Sequence, residues 1–447
     1  MVNFLKLLKF IDSSEGAYPP VFAGRQAELE ALSYAAGNTW EIFRTMDGSQ
    51  LSKRTRIIHG APGAGKSTIL RELARRLHAA PAEPGQPRLF YTTSSAFSED
   101  TSDILAELEN LARFDSDDWK QWLTIAASRI NLSAGVGPVG AGINPTSATH
   151  DRPRTVSELK TRLPADRWQA PVVLAIDEFQ NITDSPHKPE VKLTLQSLHE
   201  AVHGLPILLV LAGLGNTPAV ARKTGLTRGL TKIGIGCLQE EEARDLVHGW
   251  CRHFGIDPAG HEAPLDMLAA GTEGWPRHLH FAFQALAGEL VRPGVDGQLS
   301  EVHWSTVTDR NRELRLNYNR SQQSPEMEDS AYLVAAVLDS LEKDNSKGGV
   351  IDSIECRAGS GPGSRWRLPT GMDAGAFASH LTHQGVLQQN DLGEIVCPIP
   401  SFRSFLTKQG DPVPEFEHKP SVLEPCPEDR SDPLCDDPSG SPSPDGW

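Results

Sequence analysis

Residues 60–67 read GAPGAGKS, which fits G-x-x-x-x-G-K-[ST] without deviation. A loop of this kind constrains everything around it. Its glycines let backbone N–H groups converge on one point, and a helix must start at the Lys-Ser pair so that its positive end faces that point too. A strand has to deliver the loop and a helix has to leave it. The flanks comply: TRIIHG (55–60) is an apolar strand candidate, and Ile69, Leu70, Leu73 and Leu77 follow at helical spacing. Such a loop cradles phosphates. The candidate binding residues are Gly60, Ala61, Pro62, Gly63, Ala64, Gly65, Lys66, Ser67 and Thr68, with Lys66 reaching the β and γ phosphates and Ser67 ligating Mg2+.

A triphosphate site also needs a carboxylate for the metal's water shell, expected at the end of a neighbouring strand. VVLAIDEF (172–179) offers one: five apolar residues, then Asp177 and Glu178. Asp177 is placed to hold Mg2+ and Glu178 to polarise an attacking water. A kinase needs no base for water, so the extra glutamate points to hydrolysis and not to binding alone.

Further strand candidates are RLFYTTS (88–94), PILLVLAG (206–213) and KIGIGCL (232–238). Their nearly continuous apolar runs suit strands buried on both faces, and they alternate with helix-period segments. That pattern predicts an α/β fold with a parallel sheet covered by helices. The organisation read from the sequence is an N-terminal extension (1–16), an ATPase core (17–238) and a helical lid (239–312). A winged-helix-like domain (325–408) and a Pro-rich acidic tail (411–447) predicted to be disordered follow. Within the core, a Gly-rich stretch (133–154) reads as a surface insertion, preceded by two helical patterns, DILAELENLARF and DDWKQWLTIAAS. The opening MVNFLKLLKF is read as a helix packed on its own domain, with a docking or membrane-surface helix as the alternative.

The order and spacing of these motifs resemble AAA+ ATPases of the initiator type, the origin-recognition-like clade, and related signal-transducing ATPases. VFAGRQAELEAL (21–32) resembles the motif that opens that family's core, which implies Gly24 and Arg25 beside the adenine. LAGLGNTP (211–218) resembles the first-sensor segment and implies Asn216, with Thr217 in reserve. TGLTRGLTKIGIGCLQEEEA (224–243) resembles the segment whose arginine reaches a neighbouring subunit's γ-phosphate; Arg228 is the match, Arg222 the second choice. GWPRHLHFAFQAL (274–286) resembles the second-sensor motif and makes Arg277 the lid arginine. The second strand departs from some relatives: it ends in Thr92-Thr93, where a polar amide often restrains the catalytic glutamate. The resemblance implies an ATPase that uses ATP and Mg2+, self-associates in its ATP state, and employs Lys66, Asp177, Glu178, Asn216 and Arg228 in turnover.

Charge bears on the target. The formal net charge is −15, with 10 acidic and 2 basic residues after position 410. A strongly basic nucleic-acid footprint is absent, and the 325–410 stretch holds 11 acidic and 7 basic residues. Two local clusters stand out: Arg357, Arg365 and Arg367 beside Trp366, and Arg152, Arg154, Lys160, Arg162 and Arg167. Duplex DNA, in the manner of initiators, loaders or transposition helpers, is therefore one target. A protein partner docked through the winged-helix-like domain or the tail, as in signal-transducing or defence ATPases, is the other. The six cysteines show no metal spacing and read as reduced thiols. No apolar run spans a bilayer and no cleavage site follows the first helix, which leads to a cytoplasmic expectation.

Overall fold

The computed structural model describes residues 2–12, 21–45, 55–79, 85–99, 101–113, 152–184, 188–200, 205–295, 297–324, 327, 330–341, 344–358, 367–390, 393–400, 402 and 405–406. The DDWKQWLTIAAS pattern, most of the Gly-rich stretch, Arg365, Trp366 and the acidic tail lie outside the described residues.

Helices α1 (Phe4–Ile11) and α2 (Gln26–Thr45) precede β1 (Thr55–His59), the phosphate loop and α3 (Lys66–Ala79). Then come β2 (Arg88–Thr93), α4 (Ser94–Glu99), α5 (Thr101–Arg113), α6 (Val156–Arg162), β3 (Val172–Asp177) and α7 (Lys188–Glu200). β4 (Ile207–Gly213), α8 (Thr217–Lys223) and β5 (Leu230–Gly234) complete the α/β part. Four helices follow: α9 (Glu240–Phe254), α10 (Glu262–Ala270), α11 (Pro276–Leu290) and α12 (Trp304–Ser321). The C-terminal part has α13 (Ala331–Ser340), α14 (Lys347–Arg357) and α15 (Ala374–His383). It ends in an antiparallel pair, β6 (Gln388–Gln389) and β7 (Ile395–Val396).

The five-stranded sheet is parallel throughout, in the order β2-β3-β4-β1-β5. Its side chains divide by a period of two. Ile58, Val173, Ala175, Leu208, Val210 and Ala212 join one apolar cluster, while Ile57, Val172, Leu174, Ile176, Leu209 and Leu211 join another on the opposite face. β3 and β4 are buried along their whole length, as the unbroken apolar runs required, whereas edge strands β2 and β5 are only partly covered. The sequence expectation needs two corrections. The acidic strand is not the direct neighbour of the loop strand, because β4 lies between them. β5 begins at Leu230, two residues earlier than expected, because its pairing with β1 starts at Thr55 opposite Leu230.

The first cluster does not stop at the sheet. It runs from Ala61, Ile69 and Leu70 through Trp275 and Tyr318 into Val334, Phe377, Leu387 and Phe402 of the C-terminal part. A third cluster lies among α9, α10 and α11, and α1 belongs to it. Leu7 and Phe10 are buried there, Phe10 packs against Trp250, Phe254 and Phe283, and the Asn3 N–H donates to Phe254 O at 2.9 Å. The opening helix thus packs on its own molecule. No described helix is long and apolar enough to cross a membrane.

Candidate nucleotide site

The loop closes over the carboxyl end of β1 and leads straight into α3, which starts at Lys66. Gly63 and Gly65 take φ values of +80° and +93°, open to glycine without strain. Lys66 is half-buried, and its Nζ donates to the loop's own carbonyls, Gly60 O and Ala61 O, both at 2.9 Å. Burial pulls its pKa down to about 8 against the opposing pull of Asp177 and Glu178, whose charges act on it directly. The loop lysine and the acidic pair therefore lie within electrostatic reach of each other, while neither carboxylate lines the cavity beside the loop.

Asp177 ends β3 and is only 4% exposed. Each of its oxygens accepts a hydrogen bond: Oδ2 from the Tyr91 hydroxyl at 2.8 Å, Oδ1 from the Glu178 N–H at 2.9 Å. Glu178 turns out of the strand with φ +53°, a left-handed conformation that costs a non-glycine residue about 1 kcal/mol and recurs at functional sites. Burial and then the Asp177 charge raise its carboxyl pKa, while Lys66 works the other way. A carboxylate made more basic beside a phosphate loop is suited to accept a proton.

A cavity of about 260 Å³ opens next to the loop. Gly63–Ile69 and Arg71 form its floor, Val21, Phe22, Ala23 and Arg25 one wall, and Leu246, Trp250, Pro276, Arg277 and His280 another. The second wall has a local explanation. Gln239 and Glu242 form a capping box that starts α9, and the helical spacing of Leu246 and Trp250 brings both to the cavity. Gly274 has φ +68° and lies so close to the backbone of Leu238 that no side chain fits, and Leu238 N–H donates to Gly274 O at 2.8 Å. Pro276 then opens α11 in the first-turn position that suits it, and Arg277 follows over the loop. Arg277 lies 5.0 Å above the Phe281 ring. The loop is also held from outside, since the Tyr318 hydroxyl donates to Pro62 O at 2.7 Å.

Of the remaining expected residues, only Arg25 lines the cavity. Arg25, φ +59°, bonds Gly236 O and pairs with Glu28 at 3.3 Å. Asn216 caps α8 and does not line the cavity; its buried Oδ1 has no hydrogen-bond partner among the described residues. Gln180 ties that region to the acidic strand end, its Oε1 accepting from Leu214 N–H at 3.1 Å. Arg228 and Arg222 are exposed outside the cavity. In the basic cluster, Arg152 pairs with Asp103, and Arg162 with Glu109 at 3.7 Å. Tyr91, Arg71, Trp250, His280 and Tyr318 escaped the sequence reading. For Trp250 and His280 the helical period was a usable signal; for Tyr318, 256 residues from its partner, there was none.

A family model of the AAA ATPase domain matches residues 21–210. Residues 21–210 are an AAA ATPase domain. The domain holds the phosphate loop, Asp177 and Glu178, and ends within β4 before Asn216, on a P-loop NTPase α/β core. No curated protein matches the chain. Among solved structures, the chain is similar to a Walker-type ATPase of Pyrococcus abyssi, at 13% identity over 89% of this chain and 99% of that one, TM-score 0.48. It is also similar to the Aeropyrum pernix ORC2 protein, at 12% identity over 90% and 96%, TM-score 0.49. A third likeness is to Cdc6p from Pyrobaculum aerophilum, at 15% identity over 90% and 97%, TM-score 0.39.

The residues of the AAA ATPase domain fit Mg2+. Ser67 and Asp177 offer hard oxygen donors of the kind that suit this ion. The Lys66 pKa also sets a pH dependence. A bound polyphosphate favours the charged lysine, so above pH 8 the free protein must take up a proton to bind. ATP affinity, followed by calorimetry from pH 7 to 9.5, is expected to fall through pH 8 by up to about tenfold per unit. A flat profile would show that Lys66 stays charged in the free protein.

Proposed function

We propose that this chain is an ATP-hydrolysing molecular switch of the initiator-like AAA+ kind, which assembles in its ATP state and acts on DNA or a DNA-bound complex. The observation that carries the enzymatic half is Glu178, set beside Asp177 and Lys66 with its carboxyl pKa raised. In this reading ATP lies in the cavity, its phosphates on the loop backbone from Gly63 to Thr68 and its base against Val21, Phe22 and Trp250, with Arg25 and Arg277 around it; Gly24, beside Arg25 in the chain, is not among the lining residues. Ser67 and Asp177 would hold Mg2+, which when bound would supply positive charge to offset that of the phosphates. Glu178 takes a proton from water, the water oxygen bonds to the γ-phosphorus, the β–γ bridging bond breaks, and ADP and phosphate leave. Asn216 steadies the attacking water, and Arg228 of an adjacent copy offsets the charge that develops on the γ-phosphate. The helices 239–312 serve as the lid, and the helices and strand pair of 325–408 as the winged-helix-like output domain.

The order of the sequence motifs supports the initiator-like assignment. A second reading, in which the target is a protein, is favoured by the pairing of Arg152 and Arg162 with Asp103 and Glu109, which leaves less positive charge for phosphates. ATP turnover of the full chain with and without duplex DNA separates them. We expect turnover to rise several-fold with DNA and the gain to fade as salt is raised. Turnover indifferent to DNA would sink the DNA half of the reading and direct attention to a protein bound through 325–408 or the tail.

A further inference from the structure

We propose that Tyr91 is a positioning residue for Asp177, the means by which the chain holds its metal-shell carboxylate in one orientation. This rests on the reading of Asp177 as that carboxylate. Tyr91 lies on β2 opposite Ala175 of β3, two residues before the Thr93–Asp177 pair, and its hydroxyl reaches along the sheet to donate to Asp177 Oδ2 at 2.8 Å. The backbone N–H of Glu178 takes the other oxygen at 2.9 Å. Two donors on two oxygens fix both the position and the plane of the carboxylate, and each oxygen keeps a lone pair for the water around a cation.

The arrangement compensates for what the end of β2 lacks. Thr92 and Thr93 end the strand in hydroxyls, and Thr92 Oγ1 donates to Thr93 O and Thr93 Oγ1 accepts from Ala96 N–H. Neither bond involves the acidic pair, so the restraint from this strand comes one residue earlier and falls on the aspartate.

Tyr91→Phe tests this with the ring volume kept. Binding of the N-methylanthraniloyl derivative of ATP is titrated by fluorescence in EDTA and over a range of Mg2+ concentrations, for the full chain. We expect unchanged affinity in EDTA, and about tenfold more Mg2+ needed for half of the metal-dependent gain, the scale on which partners of metal ligands act. In an Asp177→Asn background the same change is expected to add nothing. An unaltered Mg2+ midpoint, an equal loss of affinity in EDTA, or full additivity with Asp177→Asn would overturn the role of Tyr91. A wild-type protein whose affinity ignores Mg2+ would overturn the metal reading itself, and this proposal with it.

Discussion

Glu178→Gln is expected to lower ATP turnover by about 10²- to 10⁴-fold, the range that a positioned general base supplies, and to leave ATP binding intact. The reason is geometric as much as chemical. The amide keeps the shape and sits in the same left-handed turn at φ +53°, so the neighbouring Asp177 and its bond from the Glu178 N–H stay as they are. What goes is the basic oxygen whose pKa burial and Asp177 had raised. Steady-state phosphate release and nucleotide binding measured on the same preparation decide the matter. Turnover within tenfold of wild type would show that another group takes the proton; binding lost in parallel would show that the glutamate supports the loop.

Lys66→Ala is expected to weaken ATP binding by about a hundredfold, corresponding to ~3 kcal/mol for charged hydrogen bonds to phosphate. In the free protein Lys66 Nζ is held by Gly60 O and Ala61 O, so binding exchanges two carbonyls for phosphate oxygens that carry full charge. Removing the side chain also removes those two bonds, and a thermal melt alongside the binding titration separates a loosened loop from a lost contact. An unchanged melting temperature with unchanged affinity would place the phosphates elsewhere.

What the sequence disclosed follows from how local each feature is. The phosphate loop, the acidic strand end and the Gly274–Arg277 turn are each made by a few consecutive residues, and all three stand where the chain's own conformational demands put them. Strand identities were legible for the same reason, since β3 and β4 are apolar on both faces. Their order was not: nothing in the run VVLAID says that β4 separates it from β1, because that is decided by how helices cover the sheet. Partnerships across long separations stayed hidden as well. Tyr91 meets Asp177 across 86 residues and Tyr318 meets Pro62 across 256, and neither leaves a periodic trace. Asn216 and Arg228, named by resemblance alone, lie outside the cavity.

The apolar cluster that runs from Ala61 and Leu70 to Phe377 and Phe402 closes off a kind of evolution to this chain. Gly385 rests against the Pro62 ring, where a Cβ would come within 2.7 Å of it, so the seam reaches the phosphate loop itself. A C-terminal part joined in this way is not a cassette that recombination can replace. Any exchanged segment must bring its own half of the seam, matched side chain for side chain, or leave the underside of the loop exposed to water. Substitutions in descendants of this protein are therefore expected on the outer surfaces of α14 and α15, with the inner faces inherited together with the loop they support.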